Sequence, residues 1–528
     1  MFLFCTPFSL RSLFTIFAFS IFKLMSQLLN VLWSQYLKLP RSEMKKFMEF
    51  PIEVQAAQLK KIVKATEHTE WGKRFGFSNY KKTADWKNML PLQDYESIKH
   101  DIHRMMTGEK DVLWPGRIKY YAKSSGTTSD KSKYIPITDP NHKDCHTKGG
   151  WRLLAAIYDN VKDCKIIEGK SILLSGSYSS DLSEFPGSTV GDVSAIIYQR
   201  INPLAVNRLF PEKEIALLPD FEKKLDLIAK DSIHADIRMV AGTPTWAVVL
   251  FKKILEQTGK QHMLEVWPKM QVFVHGAVSF VPYRDPFRKF FPSDAFTYIE
   301  TYNASEGYFA VQNDKSSHDM LLLLDNGVFY EFIPMEEWDK EQPKTLLLEE
   351  VELDKNYAMV ITTNSGLFRY KIGDTVKFTQ KYPYKIVITG RTKQFINVFG
   401  EEVMVANTDA ALSATCIEFG VKMVDYTVAP IFLTASGKGG HEWLIEFEKD
   451  PENLDAFASA LDKNLMKVNS DYEAKRFHDL ALERLKLNLA PKATFFNWMK
   501  SRNKIGAQQK VPRLANHREY LDELKKFI

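Results

Sequence analysis

The chain has 528 residues, 45% hydrophobic and 26% charged, with a formal net charge of +6. That length exceeds one ordinary core and calls for two or more domains, and the balance is globular, which excludes disordered and fibrous classes. The positive charge is mild and lacks the basic stripe with interleaved aromatics that nucleic-acid binding uses, so no nucleic-acid partner is expected.

The first 24 residues, MFLFCTPFSLRSLFTIFAFSIFKL, are almost wholly apolar, with only Arg11 and Lys23 charged. As a membrane span they are barely long enough, and Arg11 near the middle is expensive to insert. As a secretory signal they lack a charged n-region and a small-residue cleavage site. The favoured expectation is translation from Met25, where an amphipathic helix starts; a membrane anchor is the second. Membrane contact is expected only if residues 1–24 are genuine.

From Met25 to about Asp101 the pattern is helical, with breaks at Pro40, Pro51 and Pro91. The stretch YYAKSSGTTSDKSKYIP follows at 120–136. Ser124, Ser125, Gly126, Thr127 and Thr128 are consecutive small residues, and Lys131 and Lys133 come just after. Glycine lets backbone N–H groups approach an anion, hydroxyls add donors and lysine adds charge. The alternative is a serine-rich surface loop, and no Walker pattern is present. His142, Cys145 and His146 form a compact cluster after Asp139-Pro140, which reads as a helix start. A solvated first helical turn is the better reading of that cluster, a metal site the lesser one. Cys5, Cys145, Cys164 and Cys416 show no C-x-x-C spacing, so neither a disulfide framework nor a cysteine zinc site is supported, and a reducing compartment is expected.

Short apolar strands then alternate with helices. They are expected at 169–178, at 237–247 with breaks at Gly242 and Pro244, at 271–277 and at 296–306, with helices between. This alternation predicts a layered α/β domain, with ligands where strands end. Past residue 320 the pattern becomes β-rich. MLLLLDNGVFYEFIP reads as a hairpin with Asp325-Asn326-Gly327 at its turn. A helix at about 406–418, two strands and two further helices suggest a smaller C-terminal α+β domain. The hinge is placed near Arg391, giving domains at 25–391 and 392–528.

Two further segments carry chemistry. In TYNASEG, Tyr302 ends a strand and offers a flat face to a purine. Ser305 could bond a phosphate, and Glu306 offers a hard carboxylate oxygen to Mg²⁺. The bland reading is a core tyrosine beside a surface glutamate. In FRYKIGD, Asp374 follows a tight glycine and could accept both ribose hydroxyls, although Gly-Asp is also a common β-turn. At the ends of predicted strands, Trp246 and His275 have a plain packing role as their first reading.

Ser-Ser-Gly-Thr-Thr, Tyr-x-x-Ser-Glu, Tyr-x-x-Gly-Asp and an Arg at a hinge resemble, in that order, the adenylate-forming superfamily of acyl ligases and luciferases. More closely, SSGTTSDKSKYIP, TYNASEGYFA, FRYKIGD, TEWGKRFGF and GAQQKVPRL look like the Gretchen Hagen family of acyl-acid amido synthetases, auxin-responsive plant proteins. The resemblance runs from Met25 to nearly the end. It implies a large N-terminal α/β domain for ATP and acyl binding and a small mobile C-terminal domain. It implies ATP and Mg²⁺ as cofactors, with a small carboxylic acid and an amine, usually an amino acid, as substrates. Ser124, Ser125, Gly126, Thr127, Thr128 and Lys131 would face phosphates, Gly276 and Ala277 would border the nucleotide, and Tyr302 would pack on adenine. Ser305 and Glu306 would serve phosphate and metal, Asp374 the ribose and Arg391 the hinge side of the nucleotide. Lys510 would reach the reacting phosphate from the C-terminal domain. Asp130 stands where such loops carry a second glycine, and would turn outward or pair with Lys131 or Lys133. An acyl-CoA ligase and a non-catalytic nucleotide-binding protein are the alternatives. A cytoplasmic monomer is expected.

Overall fold

The computed structural model describes residues 30–124, 133–176, 178–179, 185–201, 203–278, 280, 283–338, 340–392, 395–433, 438–476, 481–502 and 512–528. Strands are numbered in chain order. Ahead of the sheets, the helices Lys38–Glu49, Pro51–Thr66 and Tyr95–Met106 follow the sequence signals. Pro51 opens its helix, where the missing N–H is harmless, and Asp94 and Ser97 form a reciprocal capping box. Gln55 is buried and ties its helix to the sheet, donating to the Leu324 and Val328 carbonyls at 2.8 and 3.0 Å and accepting from the Tyr330 amide.

Four strands make a small sheet: β1 (Tyr120–Ser124), β2 (Lys133–Ile137), β4 (Tyr178–Ser179) and β5 (Thr189–Gly191), in the order β2-β1-β5-β4. The main sheet has 11 strands. Its parallel part is β6 (Leu209–Phe210), β3 (Lys170–Leu173), β7 (Ile237–Ala241), β8 (Val272–His275) and β9 (Thr297–Ala304), in that spatial order. Beyond β9 every pairing is antiparallel, through β10 (Gly307–Val311), β11 (Met320–Leu322), β15 (Tyr384–Arg391), β14 (Tyr370–Lys381), β13 (Asn356–Thr363) and β12 (Val328–Pro334). β7 stops at Ala241, and Pro244 starts the helix Pro244–Thr258, so the break expected at Gly242 and Pro244 is where strand becomes helix. This mixed α/β sheet has the architecture expected from the sequence.

The expected hairpin at 325–327 is not formed. β11 pairs with β10 and β15, whereas β12 pairs with β13. Each residue of the expected turn is held elsewhere. The Asp325 carboxylate binds Lys148 and Arg152 at 2.8 and 2.7 Å. Asn326 is buried and donates to the Tyr308 carbonyl, and the Gly327 amide donates to Gln58 at 3.0 Å. These tertiary bonds override the local turn preference.

The His142–His146 turn also differs from expectation. Asn141–Thr147 is a π-turn running into the helix Lys148–Asn160, and it is capped by the Thr138 hydroxyl, which accepts the Asn141 amide at 3.0 Å. Cys145 and His146 are buried, not solvated, because the turn packs under β10, where the Cys145 sulfur accepts the Tyr308 amide.

After two short paired strands, β16 (Phe395–Ile396) and β17 (Val403–Met404), the C-terminal part has its own sheet of β18 (Met423–Ile431), β19 (Gly440–Phe447) and β20 (Lys486–Ala490). The helices Val405–Phe419 and Leu454–Val468 pack with it. The loop after β16 is pinned to the N-terminal part: the Tyr283 hydroxyl donates to the Val398 carbonyl at 2.8 Å and the Thr245 hydroxyl to Phe399 at 2.9 Å. No helix among the described residues is long and apolar enough to cross a membrane.

Candidate active site

The β9–β10 hairpin carries the first cluster. Ala304 faces Gly307 across it, so Ser305 and Glu306 form the two-residue turn. A Cβ on Gly307 would lie 3.0 Å from the Phe309 ring and 3.3 Å from the Cys145 sulfur, so the hairpin sits tight on its floor. Glu306 is 6% exposed. Burial pushes its carboxyl pKa up, and Asp374 adds to the rise; Lys133, its own backbone N–H and Arg391 pull the other way. A carboxylate held in so dry a place gains most from a cation.

Asp374 lies within β14, not in a turn, directly opposite Arg391 on β15. Gly373 just before it has φ +94° beside a shift in strand register, a conformation that favours glycine. The Asp374 carboxylate accepts from the Arg391 Nε at 2.9 Å and from the Tyr302 hydroxyl at 2.5 Å. Arg391 also pairs with Glu402 at 3.3 Å. The nearby Glu402 and Asp374 carboxylates keep its guanidinium protonated. The Tyr302 ring packs on Phe309 with centroids 4.9 Å apart, and burial followed by Asp374 raises its pKa strongly.

A cavity of about 150 Å³ opens beside this network. Lys133, Lys371 and Arg391 bring positive charge to its wall, Asp94 and Glu96 negative charge, and Tyr95 a ring. The wall at 93–95 is held by backbone pairing, since the Gln93 amide donates to the Arg369 carbonyl and the Lys371 amide to Gln93. Arg369 anchors that pairing. It is buried with φ +46°, bound to Glu331 at 2.9 Å and donating to the Lys87 and Leu90 carbonyls at 2.7 and 2.8 Å. The Tyr370 hydroxyl is buried without a partner, and the Glu306 carboxylate raises its pKa further, so a bonding group close to Glu306 is left over.

Gly276 and Ala277 follow β8. A Cβ on Gly276 would meet the Thr301 carbonyl oxygen at 2.4 Å, so only glycine fits one residue away from Tyr302. Ala277 has φ +69°, and its carbonyl accepts from Asn397 at 3.5 Å. His275 is buried and stacked on Phe280 with centroids 3.9 Å apart, and burial lowers its pKa to about 3, which leaves it neutral. Trp246 is half-buried with the Lys475 ammonium 4.6 Å above its ring.

The structure therefore brings Tyr302, Glu306, Asp374 and Arg391 into one network, with Ser305 at its turn and Gly276 and Ala277 at its border. Ser124 ends β1 opposite Lys133. Ser125, Gly126, Thr127, Thr128, Asp130, Lys131 and Lys510 lie outside the described residues. The sequence reading missed Tyr95 and Glu402, which nothing in the local pattern marks because each reaches the site through tertiary packing, and it gave no role to Tyr370 although that residue opens the Tyr-x-x-Gly-Asp motif. Among the described residues no group of three or more His, Cys, Asp and Glu side chains could hold a metal, which removes the lesser reading of His142, Cys145 and His146. One buried carboxylate is instead the donor set that suits Mg²⁺ when phosphate oxygens complete it.

Three family models match in sequence order: the GH3 family N-terminal domain over residues 40–296, the central domain over 321–391 and the C-terminal domain over 406–519. The chain belongs to the GH3 (Gretchen Hagen) family. This GH3 chain is 22% identical to the indole-3-acetic acid-amido synthetase GH3.3 of Arabidopsis thaliana, covering 88% of this chain and 89% of the relative. It is 23% identical to the jasmonoyl-L-amino acid synthetase JAR4 of Nicotiana attenuata, with 87% and 90% covered. It is 22% identical to the 4-substituted benzoates-glutamate ligase GH3.12 of Arabidopsis thaliana, with 90% and 95% covered. Its fold matches AtGH3.15, an acyl acid amido synthetase solved with 2,4-DB, at TM-score 0.61 and 17% identity, over 93% of this chain and 96% of that one. It also matches 2-hydroxyisobutyryl-CoA ligase, solved with 2-HIB-AMP and CoA, at TM-score 0.56 and 15% identity, over 90% and 91%. The fold is thus that of adenylate-forming enzymes.

Proposed function

We propose that this GH3 chain is an ATP-dependent acyl-acid amido synthetase. It joins a small carboxylic acid to AMP with release of pyrophosphate, then transfers the acyl group to an amine, an amino acid in the first instance, with release of AMP. The observation that carries this reading is the convergence of Tyr302, Glu306, Asp374 and Arg391 beside one cleft with cations on its wall. The activities named for its GH3 relatives support the same reading.

In the first step a carboxylate oxygen of the acid attacks the α-phosphorus of ATP, and the bond to pyrophosphate breaks. Negative charge is in play throughout, so positioning and charge neutralisation are the protein's main contribution. Asp374 accepts the ribose hydroxyls, with Arg391 and Tyr302 fixing its carboxylate. Tyr302 and the Gly276–Ala277 turn border the adenine. Ser124, Ser125, Gly126, Thr127, Thr128, Lys131 and Ser305 hold phosphates. Glu306 would hold Mg²⁺, which supplies charge neutralisation at the phosphates when bound. In the second step the amine nitrogen attacks the acyl carbon, the carbon–oxygen bond to AMP breaks, and the amine proton goes to solvent. Lys510 lies on the C-terminal domain, and a rotation about the hinge near Arg391 would present it for one step and withdraw it for the other. The domains are 25–391 and 392–528.

The described cysteines, Cys145, Cys164 and Cys416, are all free and buried, which suits a cytoplasmic protein. The test is acid-dependent exchange of labelled pyrophosphate into ATP across a panel of carboxylic acids, with Lys510→Ala as the control. Exchange that needs an acid and vanishes in the variant, followed by AMP release that needs an amino acid, is the expected result. AMP release that needs coenzyme A instead makes the chain an acyl-CoA ligase. ATP binding without exchange overturns the enzyme reading.

A further inference from the structure

Building on the acyl-adenylating reading, we infer that the cavity beside Asp374 seats the acceptor, an α-amino acid whose carboxylate is held by Lys371 and whose side chain carries no negative charge.

Two unpaired charges mark the cavity. The Lys371 ammonium makes no ion pair or hydrogen bond among the described residues and rests 5.6 Å from the centre of the Trp338 ring. Asp94 stands beside it, because Gln93 and Tyr370 are bridged in parallel and Asp94 and Lys371 each come next. The Asp94 carboxylate accepts the Ser97 amide at 3.0 Å and makes no ion pair among the described residues. Both face a cavity of about 150 Å³, about the space one small organic molecule fills. Trp338, Ile372 and Met404 give it apolar wall. Asp94, Trp338 and Lys371 have no part in the nucleotide set proposed above.

Position links the cavity to the reacting end. Gly373 and Arg391 line it, and both adjoin Asp374. Lys133 lines it as well and attracts the Glu306 carboxylate. The Tyr370 hydroxyl is buried and unbonded and feels Glu306, Tyr95, Asp94 and Arg391, which sets it between the Glu306 carboxylate and the cavity. A hydroxyl there can accept an N–H from an incoming amine. Met404 belongs to β17, so the part of the chain beyond the hinge completes the cavity wall. A seat built from both sides of the hinge suits the substrate that acts second.

Charge decides the kind of acceptor. Arg391 is committed to Asp374 and Glu402, Lys133 faces Glu306, and Glu96 pairs with Lys99. What remains is one cation, Lys371, beside one anion, Asp94. Pyrophosphate would bring several negative charges against Asp94, and a plain amine would leave Lys371 without an anion. An amino acid brings one carboxylate for Lys371 and a nitrogen for the acyl carbon. Aspartate or glutamate would add a second carboxylate next to Asp94.

The experiment titrates the native protein, with AMP in excess, with alanine, leucine, phenylalanine and glutamine by calorimetry. The tightest binder is compared with its own carboxamide, and glutamine with glutamate. The amino acid is expected to bind at least tenfold tighter than its carboxamide, and glutamate at least threefold weaker than glutamine. Lys371→Met should bring the first ratio within threefold, and Lys371→Arg should restore it. Asp94→Asn retains a helix cap and should close the gap between glutamate and glutamine. Equal binding of amino acid and carboxamide, a first ratio unchanged in Lys371→Met, or glutamate bound tighter than glutamine overturns the assignment. So does pyrophosphate binding that needs Lys371 where amino-acid binding does not. If acid-dependent exchange is present in those cases, the synthetase reading stands. Amino-acid binding that needs Lys371, without any exchange, upholds the cavity and overturns the synthetase reading. Neither binding nor exchange overturns both.

Discussion

Replacing Asp374 by asparagine should weaken ATP binding far more than removing the hydroxyl of Tyr302. The two changes act on one carboxylate. In the native protein one oxygen accepts the Arg391 Nε at 2.9 Å and the other the Tyr302 hydroxyl at 2.5 Å. The Asp374 side chain is 11% exposed and that of Arg391 24%. The Asp374→Asn side chain would keep the volume but offer one oxygen and no charge, so Arg391 would be left to Glu402 at 3.3 Å. A hydrogen bond to a charged group contributes about 1.5–3 kcal/mol, so the folded state should lose roughly 2 kcal/mol in this partly solvated setting. The ribose loses its charged acceptor as well, and a loss of similar size means about thirtyfold weaker ATP binding. Tyr302→Phe keeps the carboxylate, Arg391 and a ring at 302, so its ATP affinity should stay within about threefold of native. Calorimetric titration of each variant with ATP, without acid, measures both. Native-like ATP affinity in Asp374→Asn would refute the assignment of the ribose to that carboxylate.

Glu306→Gln should raise thermal stability at pH 8 in the presence of EDTA. The folded protein holds this carboxyl above its ordinary pKa, so the penalty is absent below the unfolded pKa and fully present above the folded one. The stability gap between variant and native protein should therefore grow as pH rises from 5 to 8, and a variant less stable at pH 8 contradicts the account. The same variant should lose the dependence of pyrophosphate exchange on Mg²⁺ concentration together with most of the exchange itself; native Mg²⁺ titration curves would remove Glu306 from the metal site.

Much of the α/β half was legible because its signals are local. The apolar runs ending at Ala241, His275 and Ala304 are strands, and Pro244 starts a helix because its fixed φ and missing N–H suit a first turn. The TYNASEG and FRYKIGD segments were found through their order and their family resemblance. What local pattern could not reveal is how they meet. Gly373-Asp374 reads equally well as a turn, and only the antiparallel register of β14 against β15 sets Asp374 opposite Arg391. The same limit explains the false hairpin, where Asp325, Asn326 and Gly327 obey partners 18 to 269 residues away in sequence rather than turn preference. It also explains His146, whose spacing from His142 suggested a solvated helix face until β10 was packed over it.

The central claim is that the acid becomes a mixed anhydride with AMP inside this cleft. Feeding the enzyme an acid labelled with ¹⁸O in its carboxylate, together with ATP and an amino acid, and weighing the products by mass spectrometry tests it most directly. The account predicts one ¹⁸O atom in the phosphate of AMP and none in pyrophosphate. Label in pyrophosphate or orthophosphate, or unlabelled AMP beside a formed amide, would contradict it.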